Sequence, residues 1–367
     1  MTSNSDYLGF VYHGQECYSS AMDNSRKVLR AFTANVLQCF NDMLISEGSS
    51  SRSICIAEFG SADGGVSLEL MDALIDNLDK MSEGQREVLL VYEDQLLNDY
   101  NVLFKTVHDS NISTKLSRRD KCHLLTSATT MYRKCLPTGF VDLSFLSMAT
   151  GWLSQRPCHI RGGIFQTDCN SVELEAYRRQ WQSDWKQFLS CRAQELRPGG
   201  YLVVISFVMG DSGRYNETGG EDYHDMFTNT WRSFWHSGKI TEEEFVSSTK
   251  ITYTPTQSEL EQPFNTDMKQ YLTLVDSIQR DVKIIPGLTN DTGTKERQNV
   301  LDGHLRCTKP WLYNILKGGL SPDRTEADKD ALLEEYFQTI YKVLVQKTTF
   351  DPLFYKTACV IARRTHV

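Results

Sequence analysis

Short runs of β-branched and aliphatic residues alternate with longer amphipathic runs over the first two thirds of the chain, and this alternation limits the fold more than any other feature. Parallel strands need a crossover long enough to bring the chain back, and helices supply it while covering both faces of the sheet. Residues 53–59 read as a first strand and 66–78 as the helix after it. Residues 88–92 read as a second strand followed by a helix through Val107, and 123–125 and 141–146 as the third and fourth strands. Between 172 and 196 apolar residues recur at helical spacing until Arg197-Pro198-Gly199-Gly200 stops them, and 201–207 is a fifth buried strand. The pattern predicts an α/β protein with a doubly wound sheet.

After Gly210 the character changes. A polar, glycine-bearing loop leads into Trp231, Phe234 and Trp235, a stop at Gly238 and an acidic helix start at Glu242. This reads as a helical cap over the carboxyl edge of the sheet, its aromatics forming either a small core of their own or the wall of a small-molecule pocket. Residues 272–275 and 356–362 are strand-like, and 297–316 and 327–345 helical. The expected division is an N-terminal arm and cofactor-binding α/β core over 1–210, a cap over 211–265, and completion of the core with additional helices over 266–367.

A net charge of −8 and the absence of any Lys/Arg run argue against a nucleic-acid partner. No stretch has the roughly 18 continuous apolar residues of a membrane span, and the first residues lack the pattern of a signal peptide. A cytoplasmic protein with no membrane partner is expected. The ten cysteines, Cys17 and Cys307 among them, include no CxxC pair and no histidine at zinc spacing, so reduced packing thiols and no metal are expected. His108 and His123 receive no role.

Two segments carry chemistry. Glu58-Phe59-Gly60-Ser61-Ala62-Asp63-Gly64-Gly65 joins the first strand to its helix, where a glycine-rich turn lets backbone approach a ligand and an acid can bind an ammonium group. The spacing is not GxGxxG, which disfavours a dinucleotide oxidoreductase. Tyr92-Glu93-Asp94 ends the second strand, where a carboxylate can accept both ribose hydroxyls. Together, one βαβ unit apart, they point to a nucleoside cofactor, either NAD or S-adenosylmethionine.

Several segments resemble the SABATH family of small-molecule methyltransferases. Gly151-Trp152-Leu153-Ser154-Gln155-Arg156-Pro157 resembles the family's WLSQxP, and 184–200 resembles DFxxFLxxRAxELxxGG. Residues 93–101 track NDxxxNDFN, and Phe234, Gly238-Lys239-Ile240, Glu242-Glu243 and Tyr253-Thr254-Pro255-Thr256 follow the family's insertion with its YxPS-like turn. The resemblance spans almost the whole chain. It implies a Rossmann-like class I fold with a seven-stranded sheet and an inserted helical cap, S-adenosylmethionine as cofactor with S-adenosylhomocysteine as product, and a homodimer.

Residue by residue, the resemblance implies that Glu58, Gly60 and Gly64 shape the methionine end of the cofactor site and that Asp94 holds the ribose. Gln95, Thr130 and Met131 border the adenine, and Trp152 binds the substrate carboxylate through its indole N–H. Tyr18 and Ser25 belong to the cofactor site, with Met148 beside Trp152 around the substrate; the aromatic content of the cap, apart from the resemblance, adds Trp231 and Trp235 to the expected substrate wall. Met148 stands where the family has the tyrosine of SSYS. The family's SYAxNSxxQ is altered at 18–28: one alignment puts Val28 at the glutamine, the other Lys27, which would give the substrate acid a cationic partner.

The reading is methyl transfer to the carboxylate of a small organic acid. Such a carboxylate, with a pKa of about 4 to 5, is already ionised and needs no general base, consistent with the absence of a Ser/His/Asp or Cys/His constellation. The rivals are methylation of another small metabolite at nitrogen or hydroxyl, cofactor binding without catalysis, and a nicotinamide oxidoreductase.

Overall fold

The computed structural model describes residues 18–366 apart from 49, 109–119, 212, 214–215 and 219–220. Cys17 lies outside the described residues. Five strands alternate with helices as the pattern requires: β1 (Ile54–Phe59), β2 (Val88–Asp94), β3 (Cys122–Ala128), β4 (Val141–Ser147) and β5 (Leu196–Phe207). They pair in parallel in the order β3-β2-β1-β4-β5. Strand β9 (Leu353–Arg364) runs antiparallel between β5 and β8 (Leu272–Ile285), completing a seven-stranded mixed sheet. Two short strands, β6 (Asn216–Thr218) and β7 (Glu221–Asp222), add a hairpin beside β9 where β5 has ended.

Alternation along each strand sends side chains to two cores. On one face Ile54, Ile56, Leu143 and Phe145 pack with α1 (Asp23–Glu47) and α2 (Leu68–Ser82). On the other, Cys55, Ala57, Val204 and Val360 pack with α4 (Ser171–Glu195) and α7 (Gln257–Asn265). Helix α3 (Tyr100–His108) follows β2. The Arg197-Pro198-Gly199-Gly200 cluster does end the helical run, but the strand starts before it, at Leu196. The irregularity is absorbed as a bulge in β5 opposite Val141 and Leu143 of β4, with Gly199 at φ +83°.

The cap is not one stretch of sequence. Helices α5 (Tyr223–His236) and α6 (Glu242–Ser247) pack with α8 (Thr294–Gly319) and α9 (Glu326–Gln346), which lie in sequence between β8 and β9. The Tyr336 hydroxyl donates to the Phe227 carbonyl at 2.9 Å. Arg324 pairs with Glu244 at 2.5 Å, and this guanidinium holds the Glu244 carboxyl down to about 2. Conversely α7, expected in the cap, packs on the sheet through Leu260 and Phe264. Among the described residues no helix is long and apolar enough to cross a membrane, and no cluster of three His, Cys, Asp or Glu side chains is placed to hold a metal ion. Cys39, Cys55, Cys191 and Cys359 are buried and unbridged.

Candidate active site

Strand order reverses at β1, whose neighbours β2 and β4 leave on opposite sides, so the loops at their carboxyl ends enclose a crevice. Glu58, Gly60, Asp94, Gln95, Thr130 and Met131 line it, together with Tyr18 and Ser25 from the N-terminal segment. The turn after β1 takes left-handed backbone at Gly60 (φ +67°), Ala62 (φ +49°) and Gly64 (φ +71°). A Cβ on Gly60 would stand 2.8 Å from the Ala149 Cβ, so the β1 and β4 loops approach as closely as they do only because this residue has no side chain. The Ala62 N–H donates to Asp94 Oδ2 at 2.6 Å and Asn98 Nδ2 donates to the Ala62 carbonyl at 2.7 Å, fixing the turn against β2. Asp63 faces away from the crevice and accepts the Ser19 N–H at 2.8 Å, which ties the turn Tyr18–Ala21 to the site.

Three carboxyls converge on this crevice. Burial pushes Glu58 up to about 8, with the Ser67 hydroxyl donating to it at 2.6 Å. Burial and the neighbouring Asp94 push Glu93 up to about 8, and its buried Oε1 has no hydrogen-bond partner. Burial also raises Asp94, against the lowering effect of its Ala62 and Gln95 N–H donors. Such a site fits a ligand with a cationic amino-acid end and a ribose: positive charge would stabilise Glu58 and Glu93 as carboxylates, and a diol would supply the donors they lack. The residues alone left Glu93 and Asp94 open, and the resemblance singled out Asp94; both end the same strand.

The far wall is braced from beneath. Arg192 and Glu195, both fully buried near the end of α4, pair at 2.7 Å. Arg192 also donates to the carbonyls of Met131 and Arg133 at 2.8 and 2.9 Å, while Glu195 accepts the N–H groups of Cys135 and Leu136. The RAxEL segment is therefore a clamp on the loop that carries Thr130 and Met131.

A second cavity adjoins the first, and Tyr18, Ser25, Met148 and Trp152 line both. Met148 holds φ +58°, a conformation that a non-glycine residue pays for in strain and that aims its side chain at the junction. Trp152 forms an antiparallel bridge with Thr252, while Leu153 N–H and Tyr253 N–H bond the carbonyls of Ile251 and Gly151 at 3.1 and 2.9 Å. This pairing of WLSQRP with the segment before the YxPS-like turn brings Lys250 to Trp152. Lys250 Nζ lies 4.4 Å from the Trp311 ring centroid and 5.7 Å from that of Trp152, and burial lowers it to about 8. The rest of the lining includes Asn24, His224, Tyr253 and Trp311 and, among the described residues, no Asp or Glu.

Several expected residues stand elsewhere. Lys27 Nζ donates to the Ile284 carbonyl and lines neither cavity, and Val28 is fully buried in the core. Helical periodicity explains the first: Ser25 and Leu29, one turn apart, face the crevice, which turns Lys27 to the opposite side of α1. Neither alignment of 18–28 therefore brings the residue at the family's glutamine position into either cavity. Trp231 is fully buried, edge-on to Tyr336 at 5.2 Å, and Trp235 stacks on Phe245 at 5.1 Å. Both belong to the cap's own core and line neither cavity. Trp311, from α8, takes the wall position instead. Gly64 packs behind the crevice, where a Cβ would meet Val107 Cγ2 at 3.0 Å. Sequence reasoning missed Asn24, His224, Lys250 and Trp311; only the cross-pairing of distant segments assembles them.

Comparison with known proteins agrees with this geometry. A profile of the family described as SAM dependent carboxyl methyltransferase matches residues 12–311. Salicylate carboxymethyltransferase of Clarkia breweri is 24% identical over 279 residues, covering 72% of this chain and 74% of its own. Loganic acid O-methyltransferase of Catharanthus roseus is 24% identical over 267 residues, 68% of each chain. Paraxanthine methyltransferase 2 of Arabidopsis thaliana is 24% identical over 282 residues, covering 71% and 76%. Among solved structures, loganic acid methyltransferase with SAH superposes at a TM-score of 0.71 over 97% of this chain and 98% of its own, at 18% identity, which shows the fold.

Proposed function

The chain belongs to the SAM-dependent carboxyl methyltransferase family, and from that premise we propose that it methylates the carboxylate of a small organic acid, giving a methyl ester. S-adenosylmethionine supplies, when bound, a methyl group already activated on a sulfonium. Glu58 and Glu93 would balance its positive charges, Asp94 would hold the ribose, and Gln95, Thr130 and Met131 would border the base. Tyr18, Ser25 and Met148 stand at the junction with the acceptor cavity.

The observation that carries the acid reading is the segregation of charge. Among the described residues the first cavity gathers three carboxyls, whereas the lining of the second has none and includes Lys250. An amine that ionises at neutral pH would lose its hydration there and find no counter-charge, while an acid would meet a cation. A carboxylate arrives ionised, so the residues need only place it and keep water out. Correct placement lowers the barrier by up to about 7 to 11 kcal/mol. Trp152, shared by both cavities, is the positioning donor in this reading, and Trp311 and Tyr253 form the dry wall.

Trp152→Phe tests it, since the change keeps an aromatic ring and removes the indole N–H. Loss of one hydrogen bond to a charged group predicts a roughly tenfold to hundredfold fall in kcat/KM for an acid acceptor with S-adenosylmethionine affinity held. Unchanged turnover would remove Trp152 from the mechanism.

A further inference from the structure

Among the described residues Lys250 is the one cationic side chain of the acceptor-cavity lining apart from a histidine, and its surroundings are unusual. Its ammonium has the faces of Trp311, Trp152 and Phe165 around it at 4.4, 5.7 and 6.0 Å, and no carboxylate of the described residues pairs with it. Aromatic faces attract a cation without neutralising it, and for this half-buried ammonium their attraction offsets only part of the hydration it loses. A lysine kept only to fill this space would be better replaced by an apolar side chain of the same length. Asn24 gives a second, independent sign: it is 6% exposed, comes from α1, lines the same cavity, and its buried Nδ2 has no hydrogen-bond partner. Two donors from separate elements thus border a cavity whose lining, among the described residues, offers no anion.

We propose that Lys250 reads the charge of the acceptor: its ammonium pairs with the carboxylate that is to be methylated and distinguishes the acid from its ester. The inference rests on the acid reading above and assigns that reading's recognition residue. Transfer forms one oxygen–carbon bond and breaks one sulfur–carbon bond, and the carboxylate's negative charge cancels the sulfonium's positive charge with no proton released. The ester is therefore neutral, Lys250 loses its partner, and the residue that selects the substrate also weakens the hold on the product. The placement of Trp152 between the two cavities, within 5.7 Å of the ammonium, puts the paired charge at the junction rather than at a remote end of the acceptor.

The test is calorimetric titration of the full chain, loaded with S-adenosylhomocysteine, with benzoate, indole-3-acetate, farnesoate and laurate, each beside its methyl ester. Wild type, Lys250→Met and Lys250→Arg are compared, with cofactor affinity as the check on folding. The expected result is at least one acid bound roughly tenfold or more tighter than its ester. That ratio should collapse toward one in Lys250→Met and largely survive in Lys250→Arg, a pattern that a merely structural lysine would not produce. Equal binding of acid and ester by the wild type, a ratio unaffected by Lys250→Met, or binding of no acid overturns the inference. Ester formation with a ratio indifferent to Lys250 would leave the acid reading standing and remove this residue from it. Acid binding that depends on Lys250, with the methyl delivered to another atom, would keep the anchor and overturn the ester reading.

Discussion

Replacing Arg192 by methionine should loosen the wall of the cofactor site from a position that touches no ligand. The guanidinium is fully buried, makes two bonds to Glu195 at 2.7 and 2.9 Å, donates to the carbonyls of Met131 and Arg133, and lies 3.9 Å over the Phe59 ring. Methionine fills similar space and stacks on Phe59 but satisfies none of these acceptors. Removing one partner of a buried ion pair typically costs about 3 to 5 kcal/mol, because the other charge stays behind. The two backbone donors to Glu195, from Cys135 and Leu136, place the expected loss toward the lower end of that range. Urea unfolding followed by tryptophan fluorescence measures the stability, and calorimetry measures S-adenosylmethionine binding, which should weaken because Thr130 and Met131 lose their support. Arg192→Lys should recover little, since one ammonium cannot reproduce the planar fork. A stability within about 1 kcal/mol of wild type and an unchanged cofactor affinity would refute the clamp, since ordinary surface changes fall in that range.

The raised carboxyls predict a pH signature. Glu58 and Glu93 move from 4.5 to about 8 on folding, so the stability they contribute is full below pH 4.5 and is lost as pH rises through about 8. The cofactor-free melting temperature should therefore fall between about pH 5 and pH 8, and S-adenosylmethionine, whose positive charge favours the ionised carboxylates, should raise it more at the alkaline end. A cofactor-induced shift that is equal or smaller at high pH in scanning fluorimetry contradicts this account, and Glu58→Gln should flatten the dependence. Gly60→Ala should cost about 1 to 2 kcal/mol for its left-handed backbone alone. The Ala149 contact should raise the loss further and weaken cofactor binding, and a variant with wild-type melting and affinity would show that the loops can part freely.

The parallel strands were legible because each is a short apolar run cut off by turn residues, and that pattern is local. The first half of the site was legible for the same reason: Glu58, Gly60 and Asp94 sit at strand ends, where the fold itself dictates that ligands bind. Orientation around a helix was harder to read. Lys27 and Ser25 are two residues apart on α1, and only the known direction of that helix decides which of them reaches the crevice. Aromatic clusters posed a second problem, since Trp231 and Trp235 have the same spacing whether they wall a pocket or fill a core. The partner that decided the question was α9, a hundred residues on. Lys250 and Trp311 were illegible for a related reason: a lysine between α6 and the YxPS-like turn looks solvated until the Trp152–Thr252 bridge and α8 enclose it.

The central claim is that the acceptor is a carboxylate, and the most direct measurement identifies the atom that receives the methyl group. Purified protein, isotopically labelled S-adenosylmethionine and a panel of aromatic, isoprenoid, fatty and indolic acids, with amines and alcohols of matched skeleton, would be analysed by nuclear magnetic resonance and by base hydrolysis of the product. The account predicts label in a methyl ester of one acid class, released as methanol by base. Label held in a base-stable bond to nitrogen or to an ether oxygen, with every acid left unmethylated, would contradict it.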